Sequence, residues 1–269
     1  MRTHVISLVR SLARRATSRA CLDPLGVDYV FFDAIAGDQG RESFGAYDDA
    51  KYLINTGRRP IPGEIGCHAS HLALWKLCAS QKNPLVIMED DAEPERNFVA
   101  ALAATEYLVQ RYGFVRLQSD GPNRQCPKKL IAIAGEFSLY YYEKYPYGAM
   151  CYALSPSAAR ALVAASGTLT GPVDLFIRRF WKHGQPLYGL SPHAVKAGPH
   201  SAQSTIPGRA KDKTPAGLRI RRLLHKAKSA LDRASFNKRY LSERSAGDVA
   251  VGPAVGSRQF VDMPRMRRS

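Results

Sequence analysis

Apolar residues along the chain fall into two periods. HVISLV (residues 4–9) and VDYVFFD (27–33) are short apolar runs of strand composition. The Ala-, Arg- and Leu-rich segment between them ends at a glycine and predicts a helix of about three turns. Residues 37–62 are mixed and glycine-containing, a surface excursion with room for one short helix. A helix is expected from Pro62-Gly63-Glu64 to about Ser80, since proline in the first turn and an acid near the N-terminus both favour that end. Residues 84–89 form an apolar strand, and RNFVAALAATEYLVQRY after it has helical spacing. GFVRLQSD, LIAIAG, SLYYY and GAMCYALS predict further strands, SPSAARALVAAS and DLFIRRFWKHG helices, and PLYGLSP a last strand. Strands alternating with helices indicate an α/β fold on a mixed, largely parallel sheet.

From about Gly208 the pattern changes. Ile220, Leu223, Leu224, Ala227, Leu231 and Ala234 recur at steps of three and four, an apolar stripe on a helix otherwise covered by Arg and Lys. The final stretch, AGDVAVGPAVGSRQFVDMPRMRRS, has no period and is expected to be disordered. The chain therefore divides into a domain over 1–208 and a basic helical tail over 209–269. Its charge divides the same way. The net formal charge is +16, and 209–269 hold 16 Lys/Arg against 5 Asp/Glu, a net of +11. The tail's partner should be negative, a membrane surface or a nucleic acid.

With 45% hydrophobic residues the 269-residue chain can bury a core, and no apolar run approaches the ~20 residues that cross a bilayer. The N-terminus is too basic throughout for a signal-peptide core, which predicts a cytosolic protein. Five widely spaced cysteines without a CxxC fit reduced thiols rather than a disulfide framework.

The conspicuous chemistry is LVIMEDDAEPE (85–95), where an apolar strand ends in Glu89, Asp90 and Asp91. Adjacent acids repel unless a cation lies between them or they reach into solvent. Acids at a strand end sit at the sheet's carboxyl edge, where α/β folds bind ligands. Mg²⁺ and Mn²⁺ prefer such oxygens together with substrate phosphates. Alternation puts Glu89 and Asp91 on one face and Asp90 on the other. The plain alternative is a solvated turn capping the next helix. Upstream, PGEIGCHASHLALW carries Glu64, Cys67, His68, Ser70 and His71 on one helix. His68 and His71 have metal-ligand spacing with Cys67 nearby. A polar face turned toward the acids accounts for them better, as zinc wants further spaced ligands.

GEIGCHASHLALW followed by PLVIMEDDA resembles the signature of glycosyltransferase family 25, the lipopolysaccharide and lipooligosaccharide galactosyltransferases. Agreement extends to VDYVFFDAIAG, to Gly148-Ala149 with Tyr152 and Ser155, to Gly171-Pro172-Val173-Asp174 and to Ser204-Thr205-Ile206. Ser7-Leu8 stands where the family often has Asn-Leu, and Lys196 where it often has Gln. The resemblance implies a GT-A-like nucleotide-diphospho-sugar-binding fold and inverting transfer of galactose from UDP-galactose to a saccharide acceptor, with Mn²⁺ or Mg²⁺. On that basis Asp91 is the expected main metal ligand, joined by Glu89, with Glu89 or Asp90 holding the ribose or a metal-bound water. Ser70 and His71 belong to the donor site. His200 is a further metal-ligand candidate, as His193 is. Arg14 and Arg15 can reach the diphosphate, although a solvated helix face explains them equally. Asp174 is the expected base for the acceptor hydroxyl, with helix capping as its plain alternative and Asp120 in reserve. A glycolipid acceptor made on the cytoplasmic face of the inner membrane would suit a tail lying on anionic lipid over 209–240; the other option is that the stripe packs on the enzyme. The rival class is a metal-dependent nuclease or basic nucleic-acid-binding protein. It predicts salt-sensitive binding of DNA or RNA by residues 1–208; a sugar transferase does not.

Overall fold

The apolar run at 85–89 is a central strand covered on both faces. The computed structural model describes residues 1–120, 126–201, 216–244 and 250–251. The strands are β1 (Arg2–Ser7), β2 (Tyr29–Asp33), β3 (Ala46–Tyr47), β4 (Leu85–Glu89), β5 (Ala92–Pro94), β6 (Phe114–Arg116), β7 (Lys128–Ala134), β8 (Phe137–Tyr142), β9 (Cys151–Leu154), β10 (Thr168–Leu169), β11 (Tyr188–Ser191), β12 (Val195–Ala197) and β13 (Ala250–Val251). The α-helices are α1 (Leu12–Leu22), α2 (Asp49–Thr56), α3 (Pro62–Ser80), α4 (Phe98–Tyr112), α5 (Pro156–Ala165), α6 (Val173–Ile177), α7 (Phe180–His183) and α8 (Ala216–Glu243).

Nine strands form one sheet in the order β13-β7-β8-β11-β6-β9-β4-β1-β2. Along β4, Val86 and Met88 enter one core with Phe98, Ala101 and Leu108 of α4. Leu85 and Ile87 enter the other with Ile65, Leu72 and Trp75 of α3 and Leu162 of α5. Both parities of the strand are therefore apolar, as burial on two faces requires.

The sheet is mixed rather than largely parallel. Parallel pairing joins β2-β1-β4, β6-β11 and β7-β13. Antiparallel ladders join β4-β9, β6-β9, β8-β11 and β7-β8, and they carry more paired residues. Alternating elements do not reveal that β9 inserts between β4 and β6. Nor do they reveal that β7 and β8 form a tight hairpin about Gly135, whose φ of +61° suits glycine. The expected DLFIRRFWKHG helix is two short helices, α6 and α7.

The long helix of the tail exists, and it docks through a face other than the predicted stripe. Phe236 is buried and meets Phe180 edge-on at 5.2 Å. Tyr240 packs on Tyr141 at 4.5 Å, and Asn237 accepts from the Tyr141 hydroxyl at 2.6 Å and donates to the Glu143 carbonyl at 2.9 Å. Ile220, Leu223, Leu224 and Leu231 remain 62%, 68%, 64% and 73% exposed. The stripe therefore does not pack on the domain, which removes that option. Residues 204–206, the boundary at 208 and the end expected to be disordered lie outside the described residues, apart from β13.

Phe236→Ala should lower unfolding stability by about 3 kcal/mol, whereas Leu231→Ala should change it by less than about 0.5 kcal/mol. Chemical denaturation of the full chain checks this; equal, small effects would mean that α8 is not docked.

Candidate active site

Helix α3 brings the upstream motif to the acid cluster. Gly66 lies so close to the segment after β2 that an added Cβ would stand 2.5 Å from the Ile35 carbonyl oxygen. One turn on, Ser70 Oγ accepts from the Ile35 amide at 2.9 Å and donates to the Gly66 carbonyl at 2.8 Å. This clamp fixes α3 against the carboxyl edge of the sheet. Cys67 and His71, also one turn apart, then face Glu89: Cys67 Sγ lies 3.8 Å and His71 Nε2 3.2 Å from Glu89 Oε1.

Behind Glu89 runs a buried relay. Trp75 Nε1 donates to the Tyr152 hydroxyl at 2.7 Å, and that hydroxyl lies 2.8 Å from His71 Nδ1. Indole N–H only donates and an ionised carboxylate only accepts. The consistent neutral arrangement has Tyr152 donating to Nδ1 and Nε2–H donating to Glu89. His71 is fully buried, so it orients Glu89 rather than meeting a ligand.

The neighbouring acids have different surroundings. Asp90 accepts from Ser7 Oγ at 2.7 Å and from Arg14 Nη1 at 2.7 Å, one bond on each oxygen. Its amide donates to the Ile6 carbonyl, which pins the turn to β1. Asp91 Oδ1 is buried with no hydrogen-bond partner among the described residues. Burial, and then the charge of Glu89, pushes the Asp91 carboxyl up to about 6. Asp90 thus holds Arg14, and all three acids line a cleft of about 1260 Å³ in which both oxygens of Asp90 are already bonded. That exceeds a typical small-molecule pocket and suits two substrates side by side. A hard divalent cation fits here: its donors would be carboxylate oxygens, and it would compensate the orphaned Asp91 oxygen. Cys67, His71 and Glu89 also hold one donor atom each within 4.8 Å of one another, a softer set. His71 Nε2 is already spent on Glu89, and burial and then Glu89 drive the Cys67 thiol well above its usual range. That set is poorly prepared to bind metal.

Asp174 opens α6 on the wall of the same cleft, its Oδ1 accepting from the Leu175 amide at 2.8 Å. Arg14 lines the cleft, whereas Arg15 does not; Arg15 bonds the Ser7 carbonyl and Asp33 and lies over Phe31. His200 offers its carbonyl to Arg14 at 3.2 Å, and its ring meets Thr17 Oγ1 at 3.1 Å, outside the cleft lining. Ser70 lines the cleft with its hydroxyl engaged in the clamp. His68 is core: its Nδ1 meets the Gly171 carbonyl at 3.0 Å, and burial pulls its pKa down to about 3. Asp120 accepts from the Tyr142 hydroxyl at 2.6 Å and sits near Arg116 and His193, away from the cleft lining.

Sequence reasoning missed four contributors. Ser7 was seen only as a departure from Asn, yet its hydroxyl holds Asp90. Tyr152 was matched without a role. Arg222 and Lys226 of α8 line the cleft; they sit among many tail cations, and no spacing rule singles them out.

The raised Asp91 pKa has a sign that can be checked. A carboxyl whose folded pKa exceeds its unfolded value favours folding below about 4 and loses that contribution as pH rises through about 6. In EDTA, wild type should therefore lose on the order of 1–2 kcal/mol relative to Asp91→Asn between pH 4.5 and 7.5. A difference independent of pH would contradict the buried, uncompensated carboxylate.

The family model described as glycosyltransferase family 25 (LPS biosynthesis protein) matches residues 1–177. The chain is 28% identical over 174 residues to a "glycosyltransferase 25 family member" of Aedes aegypti, covering 60% of this chain and 27% of that protein. It is 29% identical over 188 residues to the human "inactive glycosyltransferase 25 family member 3", covering 64% and 30%. The chain thus spans under a third of the length of these animal relatives. It is 26% identical over 212 residues to the "lacto-N-neotetraose biosynthesis glycosyltransferase LgtE" of Neisseria meningitidis, covering 71% of this chain and 72% of that protein.

Proposed function

The chain belongs to glycosyltransferase family 25, and we propose that it is a divalent-cation-dependent enzyme moving galactose from UDP-galactose, with inversion, to a saccharide acceptor of lipopolysaccharide or lipooligosaccharide. The carrying observation is the Asp91 oxygen, buried without a partner beside Glu89 on a cleft wide enough for donor and acceptor. The acceptor class follows the bacterial relatives, among them a "lipooligosaccharide biosynthesis protein lic2B" of Haemophilus influenzae with 26% identity over 200 residues. Galactose, and a GT-A type of nucleotide-sugar site, follow from the family resemblance.

In this reading Glu89 and Asp91 hold Mn²⁺ or Mg²⁺, and His71 fixes the rotamer of Glu89. When bound, the cation supplies positive charge for the departing diphosphate. Arg14, anchored by Asp90, adds a guanidinium on the same wall. Asp174, elsewhere on the cleft wall, takes the proton of the acceptor hydroxyl.

The exposed stripe of α8, rimmed by Arg219, Arg221 and Lys228, is read as a contact with anionic membrane, leaving the protein peripheral on the cytoplasmic face. Among the described residues no helix is long and apolar enough to cross a membrane.

Purified full chain with Mn²⁺ and a panel of UDP-, GDP- and ADP-sugars should release UDP from UDP-galactose, and EDTA should abolish the release. Asp91→Asn should lower transfer by at least about 100-fold, and Asp174→Asn by about 10²–10⁴-fold with UDP affinity retained. Full activity of either variant contradicts its assigned role. Release without a divalent ion contradicts the cation.

On vesicles containing anionic lipid, Leu223→Glu with Leu224→Glu should weaken binding on the order of tenfold or more. Undiminished binding would remove the membrane contact.

A further inference from the structure

The cleft is lined by two differently built groups of residues. One is the carboxyl edge of β1 and β4, with Ser7, Arg14, Glu89 and Asp91. The other is the wall formed by the C-terminal end of α2, by Asp174, and by Arg222 and Lys226 of α8. Helix α8 lies beyond residue 177, where the family match ends, so the Arg222 and Lys226 part of this wall is not in the matched region.

Arg222 is held in place: its Nε donates to the Ile54 carbonyl at 3.2 Å, and its guanidinium lies against Gly57, where an added Cβ would overlap it. Neither Arg222 nor Lys226 forms an ion pair among the described residues. Behind them Arg179 bonds Asn55 Oδ1 at 2.8 Å and His225 Nε2 at 3.1 Å, again with no carboxylate partner among the described residues. Burial pulls Arg179 down to about 10, and burial followed by Arg179 and Lys182 lowers His225. Asp174 on the same wall and Asp232 on α8 offset only part of this cluster of cations, and clustered cations repel one another and cost stability unless a further anion is brought to them. In the reading above the donor's diphosphate is met by Arg14 and by the cation that Glu89 and Asp91 would hold. The anion missing here therefore belongs to the second substrate.

We propose that Arg222 and Lys226 form an acceptor subsite selecting a saccharide that carries an anionic group, a phosphate or a carboxylate, near the hydroxyl offered to Asp174. This rests on the glycosyltransferase reading above. Arg222 offers a planar fork to the anionic oxygens, and Lys226 a mobile point charge. The two lie about one helical turn apart, so one substituent can meet both. They also face away from the exposed stripe at Ile220, Leu223 and Leu224, so a lipid contact and an acceptor contact can coexist on one helix.

The test is calorimetric titration of the full chain, with Mn²⁺ and UDP present, using deacylated lipooligosaccharide core as probe. The probe is used intact, stripped of phosphate with hydrofluoric acid, or with its carboxylates methyl-esterified. The intact core should bind at least tenfold more tightly than one of the treated forms, and that form names the anion. Lys226→Gln alone, at an exposed side chain that makes no hydrogen bond among the described residues, should reduce the preference without disturbing the helix. Arg222→Gln with Lys226→Gln should abolish it. Equal binding of all three cores by wild type, or a full preference in the double variant, overturns the proposal. A double variant that loses UDP affinity instead assigns the pair to the donor. One that loses only binding to anionic vesicles assigns it to the membrane; both results overturn the proposal. If wild type fails to bind UDP at all, the transferase reading falls first, and this inference with it.

Discussion

Carboxylates on three consecutive residues repel one another, and the fold handles this by giving each a different environment. Asp90 is neutralised by Arg14 and bonded by Ser7. Glu89 receives a hydrogen bond from His71 and lies beside Cys67. Asp91 has a buried oxygen with no hydrogen-bond partner among the described residues, and burial and then Glu89 raise its pKa to about 6 despite the Arg14 charge. An uncompensated buried carboxylate is costly, and the cost disappears when a cation is bound. The rest of the site is arranged around that residue.

The upstream motif has the same logic read from the helix side. Gly66 permits the close approach to Ile35, Ser70 locks it, and His71 and Trp75 reach Tyr152 on β9. These positions recur one helical turn apart, so a single face of α3 both closes the core and orients Glu89. The Gly171-Pro172-Val173-Asp174 turn is tied to the same helix by His68, which meets the Gly171 carbonyl. A packing residue thereby fixes where Asp174 faces the cleft. The proposed donor and acceptor machinery thus share one buried scaffold, and polar residues that resembled ligands in the sequence prove to be its fasteners.

Most element positions were legible because their signals are local. Pro62 and Glu64 mark the start of α3, and the apolar run into Glu89 marks β4 and its carboxyl end. Strand direction was not legible, since the insertion of β9 between β4 and β6 is set by long-range packing. Within the site, strand alternation does not account for the different partners of Glu89, Asp90 and Asp91, because β4 ends at Glu89 and the next two residues form a turn. It gave no means of separating Arg14, which lines the cleft, from Arg15, which is spent on Ser7 and Asp33. The tail shows the same limit. Its apolar stripe was readable from spacing, but the docking face of Phe236 and Tyr240 lies among residues whose role depends on partners nearly a hundred positions away or, for Tyr188, about fifty.

The account turns on what Asp91 binds. Anomalous diffraction from crystals of the full chain soaked with Mn²⁺ and UDP addresses this directly. The account predicts a manganese peak within coordination distance of Asp91 Oδ1 and a Glu89 oxygen, with His71 still bonded to Glu89. A peak held by Cys67 and His71 without Asp91, or no peak in the cleft with UDP bound, would contradict it.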